Sequence, residues 1–205
     1  MRHFLLTVLG LSCVAGASAQ LTAADAFTSA PASVFPLLDR NTRLDMVDYV
    51  KSGLSTPSAN ALKGSSTITA MSPGALSVRM TDSSTAQVIV LPAGSDSVIA
   101  VISTVAAPGL DSSISFYTTG WKPADGKKYF SKPDWKDWTV AGADVSEVTM
   151  QTPFMLASYV YDPDTGKLTL TNNLSRFLDK DVYDDISASL HPELTYIWNG
   201  KKFTR

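Results

Sequence analysis

The sequence predicts an α+β fold in which N-terminal helices and one later helix pack on a large curved antiparallel meander sheet. Three observations support this prediction. Apolar residues recur at helical spacing near the N-terminus, apolar and polar residues alternate from 65 to 119, and two hairpin turn signals flank a helical stretch near the C-terminus. The two halves share no matching residues that would make them a repeat, so we expect one domain over residues 20–205. A β-sandwich with added helices is the alternative.

Two helices are predicted near the N-terminus. A short helix around Ala23–Ser29 precedes a stronger helix that begins near Thr42. Thr42 and Asp45 have the spacing of a capping box, and Gly53 is a natural C-terminal stop. The apolar stripe of the second helix consists of Leu44, Met46, Val47 and Val50.

Short strands with turns between them are predicted from 65 to 119. Leu76, Val78 and Met80 alternate with polar residues, and turn signals recur at roughly ten-residue spacing, which is typical of an antiparallel meander. The run 98–102 reads Val-Ile-Ala-Val-Ile and is apolar at every position. A strand of this kind is buried on both faces, so we expect it to be central in the sheet.

The C-terminal half begins with its least regular part, residues 120–152, where prolines and a glycine break any long element. Beyond it, the sequence Asp-Pro-Asp-Thr-Gly at 162–166 predicts a hairpin turn. A helix is expected from Lys180 with Asp179 as its cap. The dipeptide Asn-Gly at 199–200 predicts a final hairpin.

The first nineteen residues have the layout of a secretory signal peptide. Arg2 precedes an apolar run over residues 4–14, and residues 17–19 (Ala-Ser-Ala) form a small-residue cleavage site. The run is too short to span a bilayer, and no later segment is apolar enough, so we expect no transmembrane segment in the mature chain. Gly10 stands where a lipobox has a branched residue before Cys13, which argues against a lipoprotein. We predict export to the periplasm, with the cell surface or secretion as alternatives.

The residues that could support chemistry are few. Cleavage leaves the mature chain with one histidine, His191, and no cysteine, which is too little for a zinc site and provides no cysteine nucleophile. A Ser/His/Asp site would have to use His191, which we expect instead at a helix C-terminus, where a cation suits the helix dipole. Without Arg2 there are 16 basic against 19 acidic residues and no basic block, which argues against a nucleic-acid partner. We therefore predict no catalytic, cofactor-binding or metal-binding residue. A hydrolase that uses paired carboxylates is an open alternative.

Aromatic residues concentrate between 117 and 138. Tryptophan and tyrosine are favoured at binding sites, so we identify five candidate residues for ligand or partner binding. These candidates are Tyr117, Trp121, Tyr129, Trp135 and Trp138. The last two lie at i and i+3 in the stretch Ser-Lys-Pro-Asp-Trp-Lys-Asp-Trp. The competing interpretation is that one helical turn places both of these rings in the core.

Three stretches carry a resemblance to a known family. They are Arg-Leu-Asp-Met-Val-Asp-Tyr at 43–49, Ile-Ser-Phe-Tyr-Thr-Thr-Gly-Trp-Lys-Pro at 114–123 and Tyr-Ile-Trp-Asn-Gly-Lys-Lys-Phe at 196–203. Together they resemble a family of exported Bacteroidales proteins of unknown function, over most of the mature chain and in the same order. The resemblance implies a Gram-negative, periplasmic or surface location, and it supplies no catalytic or binding residue.

These observations favour a non-catalytic periplasmic or cell-surface protein that binds another macromolecule, either a protein or a glycan. The alternatives are a carbohydrate-binding module that uses exposed tryptophans and a hydrolase that uses paired carboxylates. An open strand edge or a flat apolar patch would favour the first hypothesis. Coplanar exposed Trp rings would favour the second, and two facing carboxylates in a cleft would favour the third. The sequence leaves the oligomeric state open.

Overall fold

The computed structural model describes residues 20–106 and 108–205, so the predicted signal peptide lies outside the described residues. The described residues form two antiparallel sheets and five α-helices. The helices are α1 (Ala23–Ser29), α2 (Arg40–Lys51), α3 (Trp135–Trp138), α4 (Val145–Gln151) and α5 (Lys180–Ser187), with 3₁₀ turns at Gly126–Lys128 and Leu174–Arg176.

The first sheet is a meander whose six strands follow chain order: β1 (Ser58–Ala59), β2 (Ser65–Met71), β3 (Ala75–Thr81), β4 (Ser84–Ala93), β5 (Asp96–Ala106) and β6 (Leu110–Thr118). The second sheet has the order β10-β9-β8-β7 and consists of β7 (Ala157–Asp162), β8 (Lys167–Asn172), β9 (Glu193–Trp198) and β10 (Phe203–Thr204). The α+β class is confirmed, and the later strands form a sheet of their own in place of an extension of the meander.

The first sheet is covered on both faces, as the run 98–102 predicts. Ile99 and Val101 of β5 pack in one core cluster with residues of α1 and α2. Val98, Ala100 and Ile102 pack in a second cluster with residues of the second sheet, α4 and α5. Because successive strand residues point to opposite faces, one apolar strand serves both cores. The layers are therefore helices, first sheet and second sheet.

Helix α2 begins earlier than its predicted start. Asp39 is its N-cap, and its side chain accepts a hydrogen bond of 2.7 Å from the Thr42 amide, so the prediction of a capping box at Thr42 and Asp45 is wrong. A capping box does form at the start of α1, between Thr22 and Asp25. At the start of each helix, a side-chain oxygen accepts from the backbone amide three residues later. In α2 the acceptor is the carboxylate of Asp39, which lies about one turn before the predicted cap at Thr42.

An arginine lies in the core between the two N-terminal helices. Arg43 is 2% exposed, and its guanidinium lies 5.9 Å from the ring centroid of Phe27 and 5.7 Å from that of Phe35. It donates hydrogen bonds to the backbone carbonyls of Leu38, at 3.1 Å, and Ala30. The arginine therefore satisfies backbone acceptors in the segment that joins α1 to α2. Its positive charge is stabilised by cation–π contacts with the two aromatic rings.

The C-terminal elements follow the sequence patterns closely. Both predicted hairpins form, with Gly166 and Gly200 at φ of 66° and 86° in their turns. Helix α5 begins at Lys180 as predicted, with Asp179 at the N-cap position, but the Asp179 side chain makes no capping hydrogen bond. The helix ends at Ser187, so His191 lies beyond it. Helix α4 lies in the region predicted to be irregular. None of the helices in the described residues has both the length and the apolar character needed to cross a membrane.

The edge of the second sheet is held on the first sheet by side chains. The amide of Gln87 in β4 donates to the Tyr161 carbonyl at 2.8 Å, and its carbonyl accepts from the Tyr161 N–H at 2.9 Å. The hydroxyl of Ser112 in β6 accepts from the Tyr159 N–H at 3.0 Å. These side chains replace a neighbouring strand for β7, which is an edge strand.

We expect the substitution Gln87→Met to lower the free energy of unfolding by about 2 kcal/mol, because it leaves both backbone groups of Tyr161 without a partner at a similar side-chain volume. The measurement is chemical denaturation of the two proteins under the same conditions. Thr85→Val, at an exposed position on the same strand, is the matched control and should stay within about 0.5 kcal/mol of the wild type. Equal stability of the two variants would contradict the role given to Gln87.

Candidate functional site

The five candidate aromatic residues lie on both faces of the first sheet. Tyr117 and Trp121 pack against the core cluster that contains the N-terminal helices. Tyr129, Trp135 and Trp138 belong to the cluster on the opposite face. The division follows from strand geometry, because Phe116 and its neighbour Tyr117 point to opposite sides of β6. The structure therefore does not bring these residues together at one surface.

Trp121 joins the end of the first sheet to helix α1. Its backbone has a positive φ of 61°, and its ring centroid lies 5.1 Å from that of Tyr117. The indole N–H donates to the Ser29 hydroxyl at 3.2 Å. A tryptophan in the left-handed region is uncommon, and here the turn presents the ring to the helix.

The stretch from 131 to 138 places its second tryptophan in the core. Trp138 is 2% exposed, Trp135 is partly buried, and both rings pack on the cluster between the sheets. They lie on the single turn of α3, which Asp134 and Asp137 cap reciprocally. The backbone carbonyl of Trp138 also accepts from the His191 N–H at 2.8 Å. This arrangement is the core-packing interpretation of the stretch, and the pair does not form an exposed platform.

The structure has a large cleft of about 720 Å³ beside strand β6. One wall is the segment 125–132, another is Tyr159 of β7, and the floor includes Ser112, Ile114 and Phe116 of β6. We call this the β6 cleft. Its volume lies in the range of small-molecule pockets.

Aromatic contacts hold the wall of the β6 cleft in place. Tyr129 stacks on Phe116 with a centroid distance of 5.1 Å and an interplanar angle of 28°. Phe130 is buried and makes edge contacts with Tyr159 at 6.0 Å and Tyr196 at 5.2 Å. The Tyr129 carbonyl also accepts from the β10 amide at position 203, at 2.8 Å. The segment 125–132 is thus fixed between the two sheets.

Strand β6 presents free backbone groups to this cleft. The Phe116 carbonyl and the Thr118 N–H bond to residues 122–124, on the side away from β5. Backbone groups alternate along an antiparallel strand, so those of Ser112 and Ile114 face the same side. Within the described residues they have no backbone partner there. The carbonyl of Leu110, further along the edge, is bonded by the Asn173 side chain at 3.1 Å.

Tyr159 gives the cleft a neutral hydrogen-bond donor. It is 5% exposed, and its hydroxyl makes no hydrogen bond to the other described residues. Burial, with the nearby Asp111 and Tyr196 as smaller causes, raises the pKa of Tyr159 to about 12. The phenol therefore stays protonated at any physiological pH and can donate to an acceptor in the cleft.

The rim of the cleft is weakly cationic. Lys127 and Lys132 line it, together with one carboxylate, Asp125, whose oxygen already accepts from the Lys127 N–H at 3.2 Å. All three side chains are exposed. The described residues contain no group of three or more His, Cys, Asp or Glu side chains that could hold a metal ion. The lining offers hydrogen bonds, apolar contact and positive charge.

Most residues that form this cleft could not be predicted from the sequence. Ser112 and Tyr159 are 47 positions apart and meet only because the second sheet lies on the first. A serine within an alternating strand and a tyrosine within a hairpin give no signal of their own. The nearest signal was the unusual aromatic content of residues 117–138, which includes the wall but not the strand edge.

A second exposed feature lies after α4. Phe154 and Phe177 are 41% and 43% exposed, and their rings meet edge to face with a centroid distance of 4.9 Å. Exposed apolar pairs of this kind occur at protein interaction surfaces. Neither ring lines the β6 cleft.

Comparison with known proteins identifies the family. Residues 15–203 match the family described as protein of unknown function (DUF3256), and the chain belongs to this family. Its fold is similar to the structure of a domain of an uncharacterized protein from Porphyromonas gingivalis W83. That similarity has a TM-score of 0.78 at 22% identity and covers 89% of this chain and 96% of the other. No functionally curated protein matches.

We expect Trp138→Ala to lower the free energy of unfolding by about 4 kcal/mol, because it empties a fully buried ring site. Trp135→Ala, on the same helical turn, should cost clearly less because its ring is only partly buried. Thermal and chemical denaturation of both variants provides the comparison. Small and equal losses, with both rings open to acrylamide quenching, would restore the exposed-platform hypothesis.

We also expect the protein to lose stability between about pH 10 and pH 12 through Tyr159. The folded pKa of about 12 exceeds the ordinary value of 10.0, so the stabilising contribution is complete below pH 10 and disappears as the pH rises through the folded pKa. Tyr159→Phe should therefore show a shallower fall over this range in pH-dependent denaturation. Tyr49→Phe, at an exposed position, is the control and should follow the wild type.

Proposed function

We propose that this protein is an exported, non-catalytic binding protein of the periplasm or cell surface, and that it binds a macromolecular partner through the β6 cleft. The observation that supports this proposal most directly is the free edge of β6 inside a preformed cleft. Unpaired backbone groups of an edge strand are a template for association, and proteins normally cover or disrupt them. Here they stand beside apolar rings and a neutral donor, which is the composition of a binding site.

The two alternative functions lack the features that would favour them. A carbohydrate-binding platform calls for coplanar exposed Trp rings, whereas Trp138 is buried and the indole N–H of Trp121 is bonded to Ser29. A carboxylate hydrolase calls for two facing acids, whereas the lining of the β6 cleft includes only Asp125 among the described residues. The geometry thus supports recognition better than hydrolysis.

Export rests on the signal-peptide pattern of residues 1–19 and on the resemblance to exported proteins. The predicted cut after Ala19 leaves Gln20 as the first residue. Thr22, two residues later, caps helix α1 and accepts from the Asp25 N–H at 3.1 Å. The mature chain would therefore enter its first helix within a few residues of the predicted cut.

A photo-crosslinking experiment tests the proposal. The photoreactive residue p-benzoylphenylalanine would replace Ser131, an exposed residue of the cleft, in the cells that produce the protein. The control is the same replacement at Lys51, an exposed residue at the end of α2 in the helix layer. We expect a protein of the periplasmic fraction that begins at Gln20 and that forms a crosslinked adduct at position 131 but not at position 51. Adducts at neither site or equally at both, or a protein confined to the cytoplasm, would contradict the proposal.

A further inference from the structure

We propose that the partner in the β6 cleft is an extended peptide segment of another protein, which adds to the free edge of β6 as a short strand. This inference rests on the proposed function and specifies the chemistry of its ligand. Three features of the cleft lead to it: the pattern of free backbone groups, the division of side-chain environments and the charge of the rim.

The backbone groups fit a strand and define its length. Ser112 and Ile114 lie about 7 Å apart along β6 and together offer two N–H donors and two carbonyl acceptors. An antiparallel peptide would satisfy all four groups with two of its residues, spaced by one. A sugar or small acid can use one or two of these groups, but a peptide backbone has donors and acceptors at the same repeat. The matched repeat favours a peptide ligand.

Side chains of such a peptide would meet two different environments. The residues that pair with Ser112 and Ile114 would point to the face that contains Phe116, Phe130 and Tyr159, because paired residues share a face. The residue between them would point to the side of Ser113, which is exposed. The expected sequence is therefore an apolar residue, any residue and a second apolar residue. The hydroxyl of Tyr159 would donate to an acceptor on the first face.

The rim adds a preference for acidic residues. Among the lining residues, Lys127 and Lys132 outnumber Asp125, whose carboxylate is already engaged by a backbone amide, while Asp111 lies near Tyr159 outside the lining. An acidic residue next to the apolar pair, on the side of the two lysines, would therefore be attracted, and a basic residue there would be repelled. The rim charge thus favours acidic over basic residues in the peptide, and the strand pairing determines how the peptide backbone is placed.

The closed ends of the edge disfavour a second copy of the same chain as the ligand. The Leu110 carbonyl is occupied by Asn173, and the Phe116 carbonyl and the Thr118 N–H are bonded to residues 122–124. Two copies of β6 would have to pair across these segments. They would also have to pass the wall formed by residues 125–132 in each copy. A short segment that enters and leaves the cleft avoids this conflict.

The test begins with a phage-displayed library of random twelve-residue peptides, selected on the purified protein. We expect enrichment of peptides with two apolar residues separated by one position and an adjacent acidic residue. A synthetic copy of the enriched peptide is then titrated by fluorescence polarisation. Its binding should protect the Ser112 and Ile114 amides from hydrogen exchange. The Ser113 amide should be protected already without peptide, because it faces β5.

Matched variants isolate the strand pairing. Ile114→Pro removes the free N–H without touching the ladder to β5, and it should weaken the peptide by at least about tenfold. Ile114→Val keeps the N–H and should bind within about twofold of the wild type. If the proline variant fails to fold, the synthetic peptide with N-methyl groups at its two pairing residues replaces it and should show the same loss.

A second pair of variants isolates the charge. Lys127→Glu combined with Lys132→Glu should weaken the acidic peptide at least about tenfold and lose most of this effect at high salt. Lys122→Glu combined with Lys136→Glu changes the net charge equally at exposed positions that do not line the cleft, and it should have little effect.

Each other outcome rejects the peptide. No enrichment on the wild type, or equal binding to Ile114→Pro, would overturn strand addition. A further contrary result is protection of the Ser112 and Ile114 amides from hydrogen exchange that rises with protein concentration when no peptide is present. That result would identify a second copy as the ligand and would also overturn the peptide proposal. A crosslinked saccharide or lipid at position 131 would reject the peptide while the binding function of the cleft stands. If position 131 forms no specific adduct in cells, the proposed function itself fails, whatever the library yields.

Discussion

The seating of β7 on the first sheet is the interaction on which the rest of the structure depends. The backbone of Tyr161 exchanges two hydrogen bonds with one amide side chain, that of Gln87, and the Tyr159 N–H is taken by Ser112. An edge strand packed against the face of another sheet would otherwise have buried, unpaired backbone groups, which cost more than an average hydrogen bond contributes. Side chains of the first sheet thus act as the missing neighbouring strand. They also fix where the second sheet lies.

The β6 cleft follows from this seating. The second sheet covers the first face-on and does not extend it edge-on, so β6 keeps an edge. Residues 122–124 cover one end of that edge and Asn173 covers the other. The two residues left between them are inside a walled cleft, where another sheet cannot reach them easily. This arrangement limits edge-to-edge aggregation and keeps a short template open.

Local patterns predicted the elements well, and long-range packing decided what the sequence could not show. The alternation at 76–80, the doubly apolar run 98–102 and the Asn-Gly turn at 199–200 each depend on neighbours in sequence, and each element formed. The division into two sheets depends on which strands pair at a distance. Gln87, for example, looks like an ordinary polar position of an alternating strand. Its role appears only when Tyr161, 74 positions away, lies beside it.

The aromatic segment shows how composition and position give different information. Its richness in Tyr, Trp and Phe predicted a binding region, whereas the structure uses two of its rings, Tyr129 and Phe130, to hold the wall of the β6 cleft. Tyr129 is anchored by Phe116, and Phe130 by Tyr159 and Tyr196. A wall fixed by buried rings stays in place without a ligand, so the cleft is preorganised and binding need not order it. In the proposed function, the binding chemistry falls to neighbouring groups that have no hydrogen-bond partner among the described residues: two backbone positions of β6, one phenol hydroxyl and two lysines.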